Sequence, residues 1–155
     1  MRVYLDTNIL IDFVCKREPF YEPSKGIFAL GSIGQIELVT SSLSIVNTIY
    51  IGRKYELHIV KQRIKSILSF VSVCDLQAKV VIKSLDSDWK DYEDYVQSIS
   101  ALESFADCIV TRNKKDFWKS VIPVYTIEEL TGHRDRYVDS LIHCIFKFYY
   151  YLYTR

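Results

Sequence analysis

The chain lacks an excess of charge of either sign. Its 20 Lys and Arg residues and 19 Asp and Glu residues leave a formal net charge of +1. That excludes a strongly basic glove for nucleic acid, although local clusters can still steer phosphate to a nearly neutral protein. It also lacks cysteine motifs. The four cysteines, at 15, 74, 108 and 144, stand far apart in apolar surroundings and form no C-x-x-C pair, so free thiols of a reducing cytoplasm are expected over a zinc site or a disulfide framework. His58, His133 and His143 share no spacing with one another or with a cysteine, which leaves no credible zinc ligand set. No uninterrupted apolar run opens the chain, because Asp6 and Asp12 break it, and this argues against a secretory leader. Residues 141–152 contain His143 and Lys147 and fall short of the roughly 18 apolar residues a spanning helix needs. A cytoplasmic location without a membrane segment is therefore expected. Proline is sparse as well: the three, at 19, 23 and 123, mark element edges more than domain boundaries, and no repeat or low-complexity linker is visible.

What is present is enough apolar sequence for one sizeable core, 49% of 155 residues. Strand-like runs fall at residues 2–5, 37–40, 71–73, 108–111 and 121–125, with helical patterns between most of them, an alternation that points to an α/β domain with a parallel sheet covered on both faces. Over residues 57–71, Val60, Ile64, Ile67, Leu68 and Val71 recur at helical spacing, with Lys61, Arg63 and Lys65 on the remaining surface. Over residues 91–106, Tyr92, Tyr95, Val96, Ile99, Leu102 and Phe105 form an apolar stripe expected to pack. Asp94, Gln97, Ser98 and Ala101 form a small, polar stripe able to line a cleft. Residues 43–51 are rich in β-branched side chains, and periodicity leaves them undecided between strand and helix. Most of the 12 Tyr and 8 Phe residues sit at apolar periodic positions, where an aromatic ring normally fills core.

The most informative feature is a carboxylate, Asp6, at the end of the first strand, followed by Thr-Asn and an apolar helical stretch. Ligands of open parallel sheets bind at the carboxyl ends of strands, so Asp6 is the first candidate site residue; a helix cap explains the same pattern. Further acids stand at element ends, in Asp91-Tyr-Glu-Asp94 and at Asp116 after the fourth strand. Asp6, Asp94 and Asp116 suit a hydrolase whose carboxylates converge on hard cations, since Mg²⁺ and Mn²⁺ prefer oxygen. Taken singly, Asp91 or Asp94 is equally explained by the positive end of its helix, worth about 0.3 to 1 kcal/mol.

Four segments, Leu5-Asp-Thr-Asn-Ile-Leu10, Ser41-Ser-Leu-Ser-Ile-Val-Asn47, Asp91-Tyr-Glu-Asp-Tyr-Val-Gln-Ser-Ile-Ser-Ala101 and Val110-Thr-Arg-Asn-Lys-Lys-Asp-Phe117, fall in the order and spacing of a PIN domain. The chain resembles the bacterial PIN proteins related to the ribonuclease toxins of type II toxin-antitoxin pairs. The resemblance covers residues 1–130 and makes residues 43–51 a helix. It implies a three-layer α/β/α PIN-like fold with a five-stranded parallel sheet, and an acidic pocket binding Mg²⁺ or Mn²⁺ at the sheet's carboxyl edge. The implied activity is metal-dependent endonucleolytic cleavage of single-stranded RNA. Carried over by position, Asp6 and Asp94 hold metal and Asp116 either completes the site or caps a short turn. Asn8, Asn47, Thr111 and Asn113 line the pocket. A metal in such a site lowers the pKa of water and offsets charge building on the phosphate.

The departures matter as much as the match. The family's second acid falls on Asn47, and the acid often found after Thr-Arg falls on Asn113. An amide offers a cation a neutral oxygen but neither the charge nor the basicity of a carboxylate. Two readings follow: a working metal-dependent endoribonuclease, or a catalytically weakened PIN module that binds RNA or a protein partner. Arg112, Lys114, Lys115 and Lys119 surround the end of the fourth strand, where cations can hold the phosphates flanking a scissile bond; Arg112, Lys114 and Lys115 are the candidate RNA contacts. Beyond the resemblance, residues 131–155 form an apolar, aromatic tail in which Leu141, Ile145, Tyr149 and Leu152 recur at helical spacing. So apolar a helix needs cover, from its own domain, from a second protomer in a homodimer, or from an antitoxin-like partner; the homodimer is preferred.

Overall fold

The computed structural model describes residues 1–132. Five short strands, β1 (Arg2–Leu5), β2 (Glu37–Ser41), β3 (Val71–Cys74), β4 (Cys108–Val110) and β5 (Val124–Tyr125), form one sheet in the order β3-β2-β1-β4-β5. Every neighbouring pair is parallel, with Tyr4 opposite Val39 on one side and Ile109 on the other. Helices α1 (Thr7–Val14), α2 (Tyr21–Ser32), α3 (Ser42–Gly52), α4 (Leu57–Ile67), α5 (Ala78–Ser84), α6 (Tyr92–Glu103) and α7 (Ile127–Gly132) connect and follow the strands, with a 3-10 turn at Lys114–Phe117. This is the three-layer arrangement and the five-stranded parallel sheet expected from the sequence. Among the described residues no helix is long and apolar enough to cross a membrane, and Cys15, Cys74 and Cys108 are free.

The two faces of β1 show how the layers arise. Successive side chains of a strand point to opposite faces, so Val3 and Leu5 enter a cluster with Ile9, Leu10, Ile27, Phe28 and Ile64. Tyr4 enters another with Val39, Ala101, Ile109 and Phe117. Both faces are dry, as the nearly continuous apolar strand sequences require. Helix α2 lies so close to β2 that a Cβ on Gly31 would sit 2.3 Å from Leu38 Cδ1, itself fully buried.

One expectation of the resemblance is met and two readings of the pattern shift. Residues 43–51 are helical in α3, despite their β-branched content, because tertiary packing of Ile45, Ile49 and Ile51 against the core overrides propensity. Helix α4 stops at Ile67, leaving Leu68 exposed and Val71 to open β3, while the fifth strand begins only at Val124, with Val121 outside it and exposed. The stripes of α6 do not divide as the pattern predicts. Of the apolar one Val96 is buried, but Tyr92 and Leu102 are exposed, as is Phe105 beyond the helix end, whereas Gln97, Ser98 and Ala101 of the polar one are buried. Small side chains let a helix approach a sheet closely, and a buried Gln is tolerated where its hydrogen bonds are met.

The chain reverses its direction of winding at β1, whose neighbours are β2 on one side and β4 on the other. The crevice outside the carboxyl ends of β1 and β4 is thus the topological switch point where ligands of such sheets bind. The 131–155 tail lies outside the described residues apart from its first two positions.

Candidate active site

Asp6 follows β1 directly, and its N–H donates to the Val110 carbonyl at the end of β4 (3.1 Å). Its side chain caps the following helix and also accepts hydrogen bonds from just beyond the ends of β1 and β4. Oδ1 caps α1 by accepting from Thr7 N (2.6 Å), while Oδ2 accepts from Asn8 Nδ2 (2.5 Å) and Thr111 Oγ1 (2.7 Å). Burial pushes its pKa up to about 6 against the pull of the Thr111 and Thr7 hydrogen bonds; the Glu93 carboxylate adds to the rise and the Arg112 guanidinium opposes it. Asn8 Nδ2 also donates to Thr111 Oγ1 (3.1 Å), and Asn8 Oδ1 accepts from the Arg112 N–H (3.2 Å). Asn8 and Thr111 thereby fasten the ends of β1 and β4 together around the acid.

The capping role on α6 belongs to Asp91, whose carboxylate accepts from Glu93 N (2.8 Å) and Asp94 N (3.3 Å). Asp94, the third residue of α6, lies half-buried within electrostatic reach of Asp6. Its pKa is raised to about 7, first by burial and then by the charges of Asp6, Asp91, Asp116 and Glu93. Asp116 is exposed on the 3-10 turn, where its N–H donates to the Asn113 carbonyl (2.9 Å). Asn113 is exposed as well, with its N–H donating to Thr111 Oγ1 (3.0 Å).

One acid at this pocket escaped the sequence reading. Glu93 Oε1 accepts from Asn47 Nδ2 (2.7 Å), Thr7 Oγ1 (3.0 Å) and, more distantly, Gln97 Nε2 (3.4 Å). The signal was available: residue 93 lies one helical turn before Gln97, on the polar stripe that also carries Asp94. Beneath it, the fully buried Gln97 accepts from the Tyr4 hydroxyl and from Ser41 Oγ (3.1 Å), and donates to Thr7 Oγ1 and Ser44 Oγ (2.8 Å each). Burial drives the Tyr4 pKa well above the ordinary phenol value, keeping the hydroxyl a donor.

The cations nearby differ in kind. Arg112 pairs with Asp12, which is 1% exposed, through Nε and Oδ2 (3.0 Å), and its guanidinium lies 4.0 Å from the centre of the Phe20 ring. Lys114 pairs with Glu129 (2.9 Å) and Lys119 with Asp88. Lys115 is exposed and has no ion-pair partner among the described residues. The Arg63 side chain of α4 is held by the Val14 carbonyl (2.7 Å).

The donor chemistry here fits a hard divalent cation, since Asp6, Asp94, Glu93, Asn47 and Thr7 offer carboxylate, amide and hydroxyl oxygens, and burial together with neighbouring carboxylates raises the pKa of both Asp6 and Asp94. Among the described residues no group of three or more His, Cys, Asp or Glu is placed to hold a metal ion by itself, so a cation here would need further positions filled by water or substrate phosphate, as Mg²⁺ sites commonly do.

The chain belongs to the PIN domain family, whose model matches residues 2–115. Among curated proteins it is similar to the ribonuclease VapC1 of Aquifex aeolicus (strain VF5), 25% identical over 133 residues that span 83% of this chain and 92% of the relative. Among solved structures it resembles a toxin-antitoxin complex from Klebsiella pneumoniae, with a TM-score of 0.60 and 22% identity over 82% of this chain and 98% of that one. It also resembles VapBC2 from Rickettsia felis bound to a DNA fragment from their promoter, with a TM-score of 0.59 and 18% identity over 81% and 98%. At such identities the solved structures speak for the fold, and they agree with the resemblance carried by the four sequence motifs. PIN ribonucleases generally use divalent metals.

Proposed function

We propose that this protein is a toxin-type endoribonuclease that cleaves single-stranded RNA with Mg²⁺ or Mn²⁺. The observation that carries the reading is the approach of Asp6 and Asp94, 88 positions apart in the sequence, beside the sheet's switch point, close enough for the Asp6 charge to raise the pKa of Asp94. The relative's designation as a ribonuclease supports it. In this reading Asp6 and Asp94 hold the cation and Asp116 contributes from the facing turn, while Asn8, Asn47, Thr111 and Asn113 line the pocket. A divalent cation supplies what the side chains lack, acidity for the attacking water and positive charge for the phosphate. The chain's own residues bind and orient. Thr7 N, Asn8 and Thr111 lock the Asp6 carboxylate in one rotamer, so its geometry is set before substrate arrives. Lys115 offers a free positive charge to a flanking phosphate; Lys114 can do so by exchanging Glu129 for RNA, and Arg112 acts chiefly by securing the loop that carries both. The reading brings with it a cytoplasmic location and an antitoxin as protein partner.

The test is cleavage of a mixed single-stranded RNA panel with Mn²⁺, Mg²⁺ or chelator, comparing wild type with Asp6→Asn/Asp94→Asn. Metal-dependent cutting that disappears in the folded double variant is the expected result. A folded wild type that binds RNA and never cuts it overturns the reading in favour of a non-catalytic binding module.

The apolar sequence of residues 131–155 is the proposed homodimer contact, appended to the PIN-like domain of residues 1–130. Removal of residues 136–155 is expected to convert a dimer to a monomer in sedimentation; an unchanged mass rejects this role.

A further inference from the structure

We infer that Glu93 replaces the carboxylate missing at position 47, and that Asn47 serves as the positioning residue that holds it; the inference rests on the metal-dependent nuclease reading above. Three observations converge on it. The hydrogen bonds to the Glu93 carboxylate fall on Oε1, from Asn47 and Thr7, with Gln97 Nε2 at the longer distance of 3.4 Å, and Oε2 accepts none among the described residues. Glu93 acts electrostatically on both Asp6 and Asp94, so its charge lies within reach of both acids. The buried network below it is also polarised toward it. Tyr4 and Ser41 donate to Gln97 Oε1, which leaves Ser44 to donate to Ser41 and the two Gln97 Nε2 hydrogens to go to Ser44 and Thr7. The single Thr7 hydroxyl proton is then free to choose between Ser44 Oγ and Glu93 Oε1, both at 3.0 Å. A carboxylate is the stronger acceptor.

The arrangement amounts to an exchange of roles between two helices. A carboxylate on α3 would reach the pocket directly, but Asn47 instead presents its amide N–H to a carboxylate rooted on α6. The charge comes from a different element and ends in the same pocket. An amide at 47 is then required by its donor hydrogens, which a Glu there would not have. With one oxygen tied down by fixed donors, the other can serve a cation or its coordinated water with little side-chain entropy left to lose.

The experiment is calorimetric titration of the full-length protein with MnCl₂ at neutral pH, each variant first checked for folding by circular dichroism. Loss of an orienting partner alone typically weakens metal binding by about tenfold or more, so Asn47→Ala is expected to lose about tenfold and Glu93→Gln more than that. Adding Asn47→Glu to Glu93→Gln is expected to recover most of the loss, an outcome a purely structural Glu93 would not produce. Should Glu93→Gln fail to fold, Glu93→Asp keeps the charge, withdraws it by one methylene and is expected to weaken binding in the same direction. Folded Glu93 variants that bind Mn²⁺ as wild type does, while Asp94→Asn binds it poorly, overturn the inference and leave the nuclease reading standing. A wild type without measurable Mn²⁺ binding overturns both.

Discussion

Arg112→Ala is expected to lower stability by about 3 kcal/mol, because it strands a buried carboxylate. Asp12 is 1% exposed, and its two partners are Arg112 at 3.0 Å and Arg17 at the longer distance of 3.6 Å. Burial raises the Asp12 pKa, with Arg112 the larger of the two opposing charges. Removing Arg112 also exposes the face of Phe20 on which its guanidinium stacks. For a domain of this size the loss corresponds to a fall in melting temperature of roughly 10 °C, read by thermal unfolding at neutral pH. Lys115→Ala should instead melt within about 0.5 kcal/mol of wild type, as surface changes usually do, while reducing RNA affinity and the steepness of its salt dependence. Unchanged melting of Arg112→Ala would show that the Asp12 pair contributes little. The comparison separates a cation that holds the loop from one that can hold a phosphate.

Without divalent cation, the protein is expected to be more stable near about pH 5 than near about pH 8, opposite to the usual behaviour of paired carboxylates. The folded-state pKa of Asp6 is raised from its ordinary value to about 6 and that of Asp94 to about 7. A raised folded pKa contributes stability that is complete below the unfolded value and is lost as pH rises through the folded one. The window of loss therefore runs from roughly pH 4 to pH 7. Asp6, 4% exposed, accounts for about 2 to 3 kcal/mol of it at about 1.4 kcal/mol per pKa unit. Asp94, half-buried and coupled to the same charges, adds less than an independent site would. Mn²⁺ should restore melting temperature at the higher pH and do little at the lower, where protons already occupy the acids. A metal-free melting temperature that climbs steadily across that window would contradict the cost assigned to charging these buried acids.

Much of this protein was legible in its sequence because its signals are local. Four of the five strands begin where apolar runs begin, since a parallel sheet buried on both faces leaves little room for polar residues. Asp6 was legible because a carboxylate ending a strand lies at the sheet's binding edge whatever the rest of the chain does. The order of the four motifs was enough to place the chain in its family. Asp94 was singled out with Asp91, but which of them caps the helix and which enters the pocket depended on their orientation at its first turn.

Tertiary structure decided what depends on contacts between distant residues. Only packing shows that the small polar stripe of α6 is its buried face, because a pattern of side chains cannot say how closely a helix approaches its sheet. Only the meeting of α3 and α6 brings Glu93 to Asn47, 46 positions away, and only the fold pairs Arg112 with Asp12. The sequence by itself determined the strands, the acids at their ends and the family, since these follow from periodicity and chain order. The partners of those acids, and hence the charge of the pocket, were decided by tertiary structure, because electrostatics acts through space and takes no account of sequence distance.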